Sequence, residues 1–163
     1  FGNSTIIDQN AIFEGARNVV WPARMQRLKD GPLTALAPNQ EIWLDGGHNP
    51  HAARAIARQL NNMPGRTALV AAMLASKDAT GYFMPFRQVR PEVFTLPNAP
   101  GHQGAEPQAL AEAATNARLK AAAYDSLEAA LKAAATTGVD RILICGSLYL
   151  AGEVLAQNGE PPA

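Results

Sequence analysis

The sequence predicts a three-layer, Rossmann-like α/β domain, in which a mostly parallel sheet is flanked by helices. Three observations predict it. Apolar runs at 42–44, 68–74, 93–96 and 142–145 are short and continuous rather than alternating, as in strands covered on both faces. Segments with helical spacing lie between them, so the chain alternates strand and helix and requires right-handed crossovers. At 42–51 an apolar run ends in Asp45, turns through Gly46 and Gly47, and enters a helical segment at Pro50. That layout presents side chains at the carboxyl edge of a parallel sheet, where ligands bind.

Taken in order, residues 1–28 read as an interdomain linker with the first short elements, and residues 29–163 as the α/β domain. Residues 8–18 predict a short helix with Ile12 and Phe13 on one face, ended by Val19, Val20, Trp21 and Pro22. A short strand is expected at 25–28 and a turn at Lys29, Asp30, Gly31 and Pro32. After the strand at 42–44, a helix carries Ala52, Ala53, Ile56, Ala57 and Leu60 on one stripe. Pro85 makes 81–89 an irregular or kinked helix. Glu106 and Pro107 open a helix striped by Leu110, Ala113, Ala114 and Ala117. Residues 120–124 predict an edge strand, followed by a helix on Leu127, Ala130, Leu131 and Ala134 with Ser126 or Asp125 as cap. A last helix at 148–157 turns Ala151, Val154 and Leu155 inward.

Composition sets limits on function. Lys+Arg 14 balances Asp+Glu 14, so no overall field selects nucleic acid or an anionic membrane, although a neutral chain can bind anions locally. The single Cys145 excludes an internal disulfide and, within Ile142, Leu143 and Ile144, reads as a buried structural thiol. No apolar stretch has membrane-spanning length and no signal-peptide pattern is present, which together suggest a cytoplasmic setting. A first residue of Phe1 rather than Met suggests a piece of something longer. Neither standard phosphate-binding glycine fingerprint occurs, nor a Cys/His cluster with zinc spacing, so no metal ligands are assigned.

Four short motifs carry chemistry. Asp45 ends a strand where it can accept hydrogen bonds from a ribose or merely cap its own turn. His48 and Asn49 add a switchable imidazole and an amide at a helix start, although a lone histidine in a turn is more often structural than catalytic. Arg24, after the stiff Trp21-Pro22-Ala23, can offer a planar fork to a phosphate or sit solvated beside Trp21. Lys77, in the loop after 68–74, is either a partner for a substrate carboxylate or a surface charge. Ser147 directly follows Gly146, which misses the nucleophile-elbow pattern. It reads instead as a helix N-cap, or as a hydroxyl and helix N-terminus that receive a carboxylate.

In order and spacing, Trp21–Gln26, Leu44–Ala52, Ala72–Asp78 and Cys145–Glu153 resemble the C-terminal domain of folylpolyglutamate synthase/dihydrofolate synthase, in the Mur ligase superfamily. The chain departs from that pattern at Ala23 (usually Gly), Gly47 (usually Ala), Ala72 (usually Gly) and Ser76 (usually an acid). The resemblance implies a Mur ligase C-terminal domain fold and an ATP-dependent ligase of folate biosynthesis. Such an enzyme adds L-glutamate to dihydropteroate or folate through an acyl phosphate. It implies that Arg24 and His48 act at the reaction, that Arg24, Asp45, His48 and Asn49 meet ATP, and that Lys77 and Ser147 hold the glutamate. ATP and Mg²⁺ are the implied cofactors, with the metal ligands, the phosphate loop and most of the pterin pocket in a separate N-terminal domain. That domain is the implied partner, and neither nucleic acid nor membrane is. The chain alone is expected to fold without turnover. Other readings are a stand-alone nucleotide or amino-acid binding module, a domain of a peptidoglycan-precursor Mur ligase, and a small hydrolase at Ser147.

Overall fold

The computed structural model describes residues 23–161. Six strands form one sheet: β1 (Gln26–Arg27), β2 (Glu41–Asp45), β3 (Thr67–Ala71), β4 (Glu92–Thr95), β5 (Ala121–Ala123) and β6 (Arg141–Cys145). Their spatial order is β1-β2-β6-β3-β4-β5, with β1 antiparallel to β2 and every other pair parallel. The helices are α1 (Pro50–Asn61), α2 (Ala79–Phe83), α3 (Pro107–Asn116), α4 (Leu127–Ala135) and α5 (Leu148–Gln157). β3 and β6 are buried at every residue, which explains the apolar lettering that follows Thr67 in one and Arg141 in the other.

The two faces of the sheet have separate cores. Leu69, Ala71, Met73, Leu143 and Cys145 point to the face covered by α1, α2 and α3, where Ile56, Leu60, Phe83 and Leu110 meet them. Ala68, Val70, Ile142 and Ile144 point to the other, where Leu131, Val154 and Leu155 of α4 and α5 pack. This is the three-layer arrangement that the alternating apolar runs predict. The helical stripes are likewise buried, including Ala53, Ile56, Ala57 and Leu60 on α1. Ser126, not Asp125, is the cap of α4, accepting from the Ala129 N–H.

Several boundaries differ from expectation, each for a visible reason. The strand expected at 68–74 stops at Ala71: the Ala72 N–H still donates to the Cys145 carbonyl of β6, but Met73 and Leu74 turn to other partners. The Ala105 N–H donates to the Met73 carbonyl, and Leu74 forms an isolated bridge with Gly104. The irregular helix expected around Pro85 is present as α2 running directly into a 3-10 turn, Met84–Gln88, with Pro85 in the first turn of the latter. A second 3-10 turn, Thr34–Leu36, follows the expected turn at 29–32 and was not foreseen. The helix expected at 8–18 lies outside the described residues.

The register decides where the chemistry sits. Asp45 and Ala71 both pair with Cys145, so β2, β6 and β3 end level. From β2 the chain leaves through α1 on one face, and from neighbouring β6 through α5 on the other. Adjacent strands whose connections depart to opposite faces leave a crevice between them, the place where open α/β sheets bind ligands. Gly146 makes that junction possible. Its φ is +100°, and a Cβ there would lie 2.4 Å from the Ala72 carbonyl oxygen.

Candidate functional site

The crevice is a cleft of about 740 Å³ lined by Arg24, Asp45, Gly47, His48, Asn49 and Leu148, among others. Four sequence-predicted residues, Arg24, Asp45, His48 and Asn49, are thus brought together from a loop, a strand end and a helix start. Lys77 and Ser147 do not line it. His51 and Gln59 also line the cleft and were missed, since both read as solvent-facing helix positions.

Asp45 is 7 % exposed and joins two loops. One carboxylate oxygen accepts the Gly47 N–H at 2.7 Å, and the other accepts the Met25 N–H at 3.0 Å. The Gly46 N–H returns a bond to the Ala23 carbonyl at 2.7 Å. Asp45 therefore holds the Arg24 loop against the glycine turn, and what it offers a ligand is its remaining lone pairs. Burial raises its pKa, opposed by the two backbone donors and by the nearby Arg24 guanidinium. Ala23 and Met25, on either side of Arg24, have φ of +58° and +39°. Holding Arg24 at the rim thus requires left-handed backbone at both of its neighbours.

His48 is half-buried, and its Nδ1–H donates to the Gly46 carbonyl at 3.2 Å. A carbonyl only accepts, so Nε2 is the ring nitrogen left for a ligand. Asn49 caps α1: its Oδ1 accepts the Ala52 N–H at 2.8 Å, with Pro50 at the first helical position. The Asn49 amide group and the exposed Arg24 also lie at the rim.

Ser147 is 3 % exposed. Its hydroxyl donates to Asn98 Oδ1 at 2.8 Å and accepts the Leu150 N–H at 3.3 Å, the bond that caps α5. A hydroxyl so buried and engaged on both sides is a cap, not a nucleophile, so the hydrolase reading is corrected here. Sequence reasoning missed Asn98, which belongs to no motif, and its amide nitrogen is buried with no partner among the described residues. In the same part of the chain, His102 stacks on Tyr149 with ring centroids 3.5 Å apart. Lys77 is half-buried in the loop after β3, where its N–H closes a turn on Leu74.

Cys145 is buried against Tyr82, and burial pushes its thiol up to about 12, so it is the inert packing group the sequence suggests. Among the described residues no group of three His, Cys, Asp or Glu side chains could hold a metal, and no helix is long and apolar enough to cross a membrane.

Comparison with known proteins points one way. The family model described as Mur ligase, glutamate ligase domain, matches residues 23–148. The dihydrofolate synthase/folylpolyglutamate synthase of Escherichia coli (strain K12) is 28% identical over 153 residues, covering 91% of this chain and 33% of the relative. The folylpolyglutamate synthase of Lacticaseibacillus casei is 34% identical over 136 residues, covering 82% of this chain and 29% of its own length. A crystal structure of a bifunctional folylpolyglutamate synthase/dihydrofolate synthase with Mn, AMPPNP and L-glutamate bound is 27% identical, with a TM-score of 0.68 over 91% of this chain and 34% of that one. The chain spans about a third of the length of these relatives.

Proposed function

We propose that this chain, which belongs to the Mur ligase glutamate ligase domain family, supplies the nucleotide- and glutamate-facing wall of an ATP-dependent folylpolyglutamate/dihydrofolate synthase. One observation carries most weight. The cleft at the β2/β6 switch point brings Arg24 against the contiguous turn that carries Asp45, His48 and Asn49, at the edge where this architecture binds ligands. The relatives add the chemistry, since one is solved with AMPPNP, Mn and L-glutamate bound. Both curated relatives are folate enzymes, which favours this reading over a peptidoglycan ligase or a stand-alone binding module.

In this reading Arg24 neutralises phosphate charge as the acyl phosphate forms, a task that needs positioning more than covalent help. Asp45 shapes the turn and accepts from the nucleotide sugar, while His48 Nε2 and the Asn49 amide line the same pocket. Lys77 pairs with a glutamate carboxylate. Ser147 contributes through the helix N-terminus it caps, whose first N–H groups favour an anion. The phosphate loop, the Mg²⁺ ligands and the pterin pocket belong to a partner N-terminal domain of the same cytoplasmic enzyme.

Amide shifts of this chain titrated with AMPPNP provide the first test. Changes should concentrate at Gly46, Gly47, His48 and Asn49, without turnover when folate and glutamate are added. In the enzyme carrying both domains, Arg24→Ala should lower kcat by roughly 10²-fold, the scale of removing one transition-state donor, with less effect on the KM for ATP. Shifts confined elsewhere, or robust ligation by this chain alone, would refute the assignment.

A further inference from the structure

The opposite edge of the sheet, where the parallel strands begin, holds a second cleft of about 810 Å³. The loops entering β3, β4 and β5 bring Arg66, Arg87, Arg90, Arg118 and Lys120 to its walls, and Glu92 is the one carboxylate among the residues lining it. Glu92 is already paired with Lys120 at 3.1 Å. Among the described residues none of the four arginines forms an ion pair. A chain with no net charge thus sets five of its 14 basic residues, against one carboxylate, around a single concavity.

Two further observations set this apart from scattered surface arginines. Arg90 and Arg118 are held at φ +54° and +63°, left-handed backbone that places both beside the cleft at a cost in strain. Behind the wall, Arg141 is 4 % exposed and bonds only Thr67 Oγ1 at 2.9 Å and the Pro64 carbonyl at 2.8 Å, with its Nε unpartnered. Thr67 is itself part of the cleft wall. A buried guanidinium with no carboxylate partner among the described residues is costly, and its field adds to that of the rim. Complementing helix C-termini explains a cation at each end, but not convergence of this many on one hollow.

We propose that this cleft binds a small, multiply phosphorylated anion. Guanidinium forks suit phosphate oxygens, and several converging forks suit an anion carrying several phosphates. No aromatic side chain lines the cleft, so it offers no platform for stacking bases, which argues against single-stranded nucleic acid as the occupant.

Inorganic tripolyphosphate is the probe, titrated into this chain by calorimetry and followed by amide shifts at low and at physiological salt. Saturable binding is expected, with shifts at Arg66, Arg90, Arg118 and Lys120 and weakening as salt rises. Arg87→Gln/Arg90→Gln/Arg118→Gln should weaken it at least about tenfold, since charge-assisted bonds are lost from each position. Should the triple variant fail to fold, Arg66→Gln and Lys120→Gln carry the same comparison singly. Arg24→Ala, at the other edge, should leave these far-edge shifts unchanged. An ATP arm read at the same amides identifies the source: affinity no tighter than tripolyphosphate marks recognition of phosphates alone, and tighter affinity marks a nucleotide, either supporting the site. No saturable binding, shifts confined to residues 24 and 46–49, insensitivity to the arginine substitutions, or duplex DNA binding more tightly than tripolyphosphate would each overturn it.

Discussion

The two edges of the sheet use polar side chains in opposite ways. At the carboxyl edge, Asp45, Asn49 and Ser147 each accept backbone N–H groups, so the residues that look most like ligand groups first hold loops in place. At the amino edge only the buried Arg141 ties loops together, whereas Arg66, Arg87, Arg90 and Arg118 are exposed and make no ion pair among the described residues, so their charge faces solvent or an anion. Conspicuous polar residues in a motif are therefore not automatically ligand contacts. At the carboxyl edge stability and function are tied together, whereas at the amino edge they are separable.

The largest expected effect tests that tie at Gly146. An alanine there would bring its Cβ to 2.4 Å from the Ala72 carbonyl oxygen while keeping a φ of +100°. Backbone on both sides of the contact leaves no flexible side chain to yield. Gly146→Ala should cost about 3 kcal/mol or more in urea unfolding. A loss under about 1 kcal/mol would mean that the β6–α5 junction is softer than its geometry.

Asp45→Asn comes next, because one amide hydrogen-bonding group must face a backbone N–H that the carboxylate accepted. We expect a loss of about 2 kcal/mol near neutral pH, the scale of a buried bond to a charged acceptor. The pH dependence has a definite sign. Burial raises the Asp45 pKa above its ordinary 3.8, so the folded state holds the proton more tightly than the unfolded chain. Its contribution is fully present below 3.8 and declines as pH rises through the raised folded value. Stability of the wild type relative to Asp45→Asn should fall over that window and then level off. A rise across it would mean that the backbone donors and Arg24 outweigh desolvation.

Ala23→Gly is a smaller effect of the opposite sign. Ala23 has a φ of +58°, a conformation that costs an L-residue roughly 1–2 kcal/mol and glycine almost nothing. Glycine's greater unfolded-state entropy offsets part of that, so a gain of up to about 1 kcal/mol is expected in thermal unfolding. A loss would show that the Arg24 loop is held by the Ala23 side chain, which is buried, rather than strained by it.

Much of this was legible in the sequence because it is written locally. The apolar runs gave β2, β4 and β6, and the stripes gave α1, α3, α4 and α5, since each records which side of one element is covered. What escaped depends on distant partners. The turn at Thr34–Leu36 follows Leu33, whose N–H is held by Asn158 Oδ1 across 125 positions. Ala72 and Met73 are apolar because they are buried beneath the β6–α5 junction, not because they lie in the ladder. In the site, the motif residues were visible but their bonds were not. Asp45 reaches Met25 across 20 positions and Ser147 reaches Asn98 across 49, and no local pattern encodes either pairing. The amino-edge cleft was invisible for the same reason, its arginines being scattered from 66 to 118.

The smallest expected effect is at the amino edge, and its smallness is informative. Arg87 lies in the last turn of Met84–Gln88, where a cation favours the negative helix end by a few tenths of a kcal/mol. It also faces other cations around the cleft, whose repulsion opposes that gain and is stronger at low salt. The two nearly cancel, so Arg87→Gln should change stability by no more than about 0.5 kcal/mol. The size of the difference should depend on salt. At low ionic strength, where repulsion is strongest, the variant should be the more stable protein, and at physiological salt the difference should vanish. Comparing urea midpoints at the two salt levels checks this. A loss well beyond that range, unchanged by salt, would mean that Arg87 is a structural residue like Asp45, and the contrast between the two edges would fail.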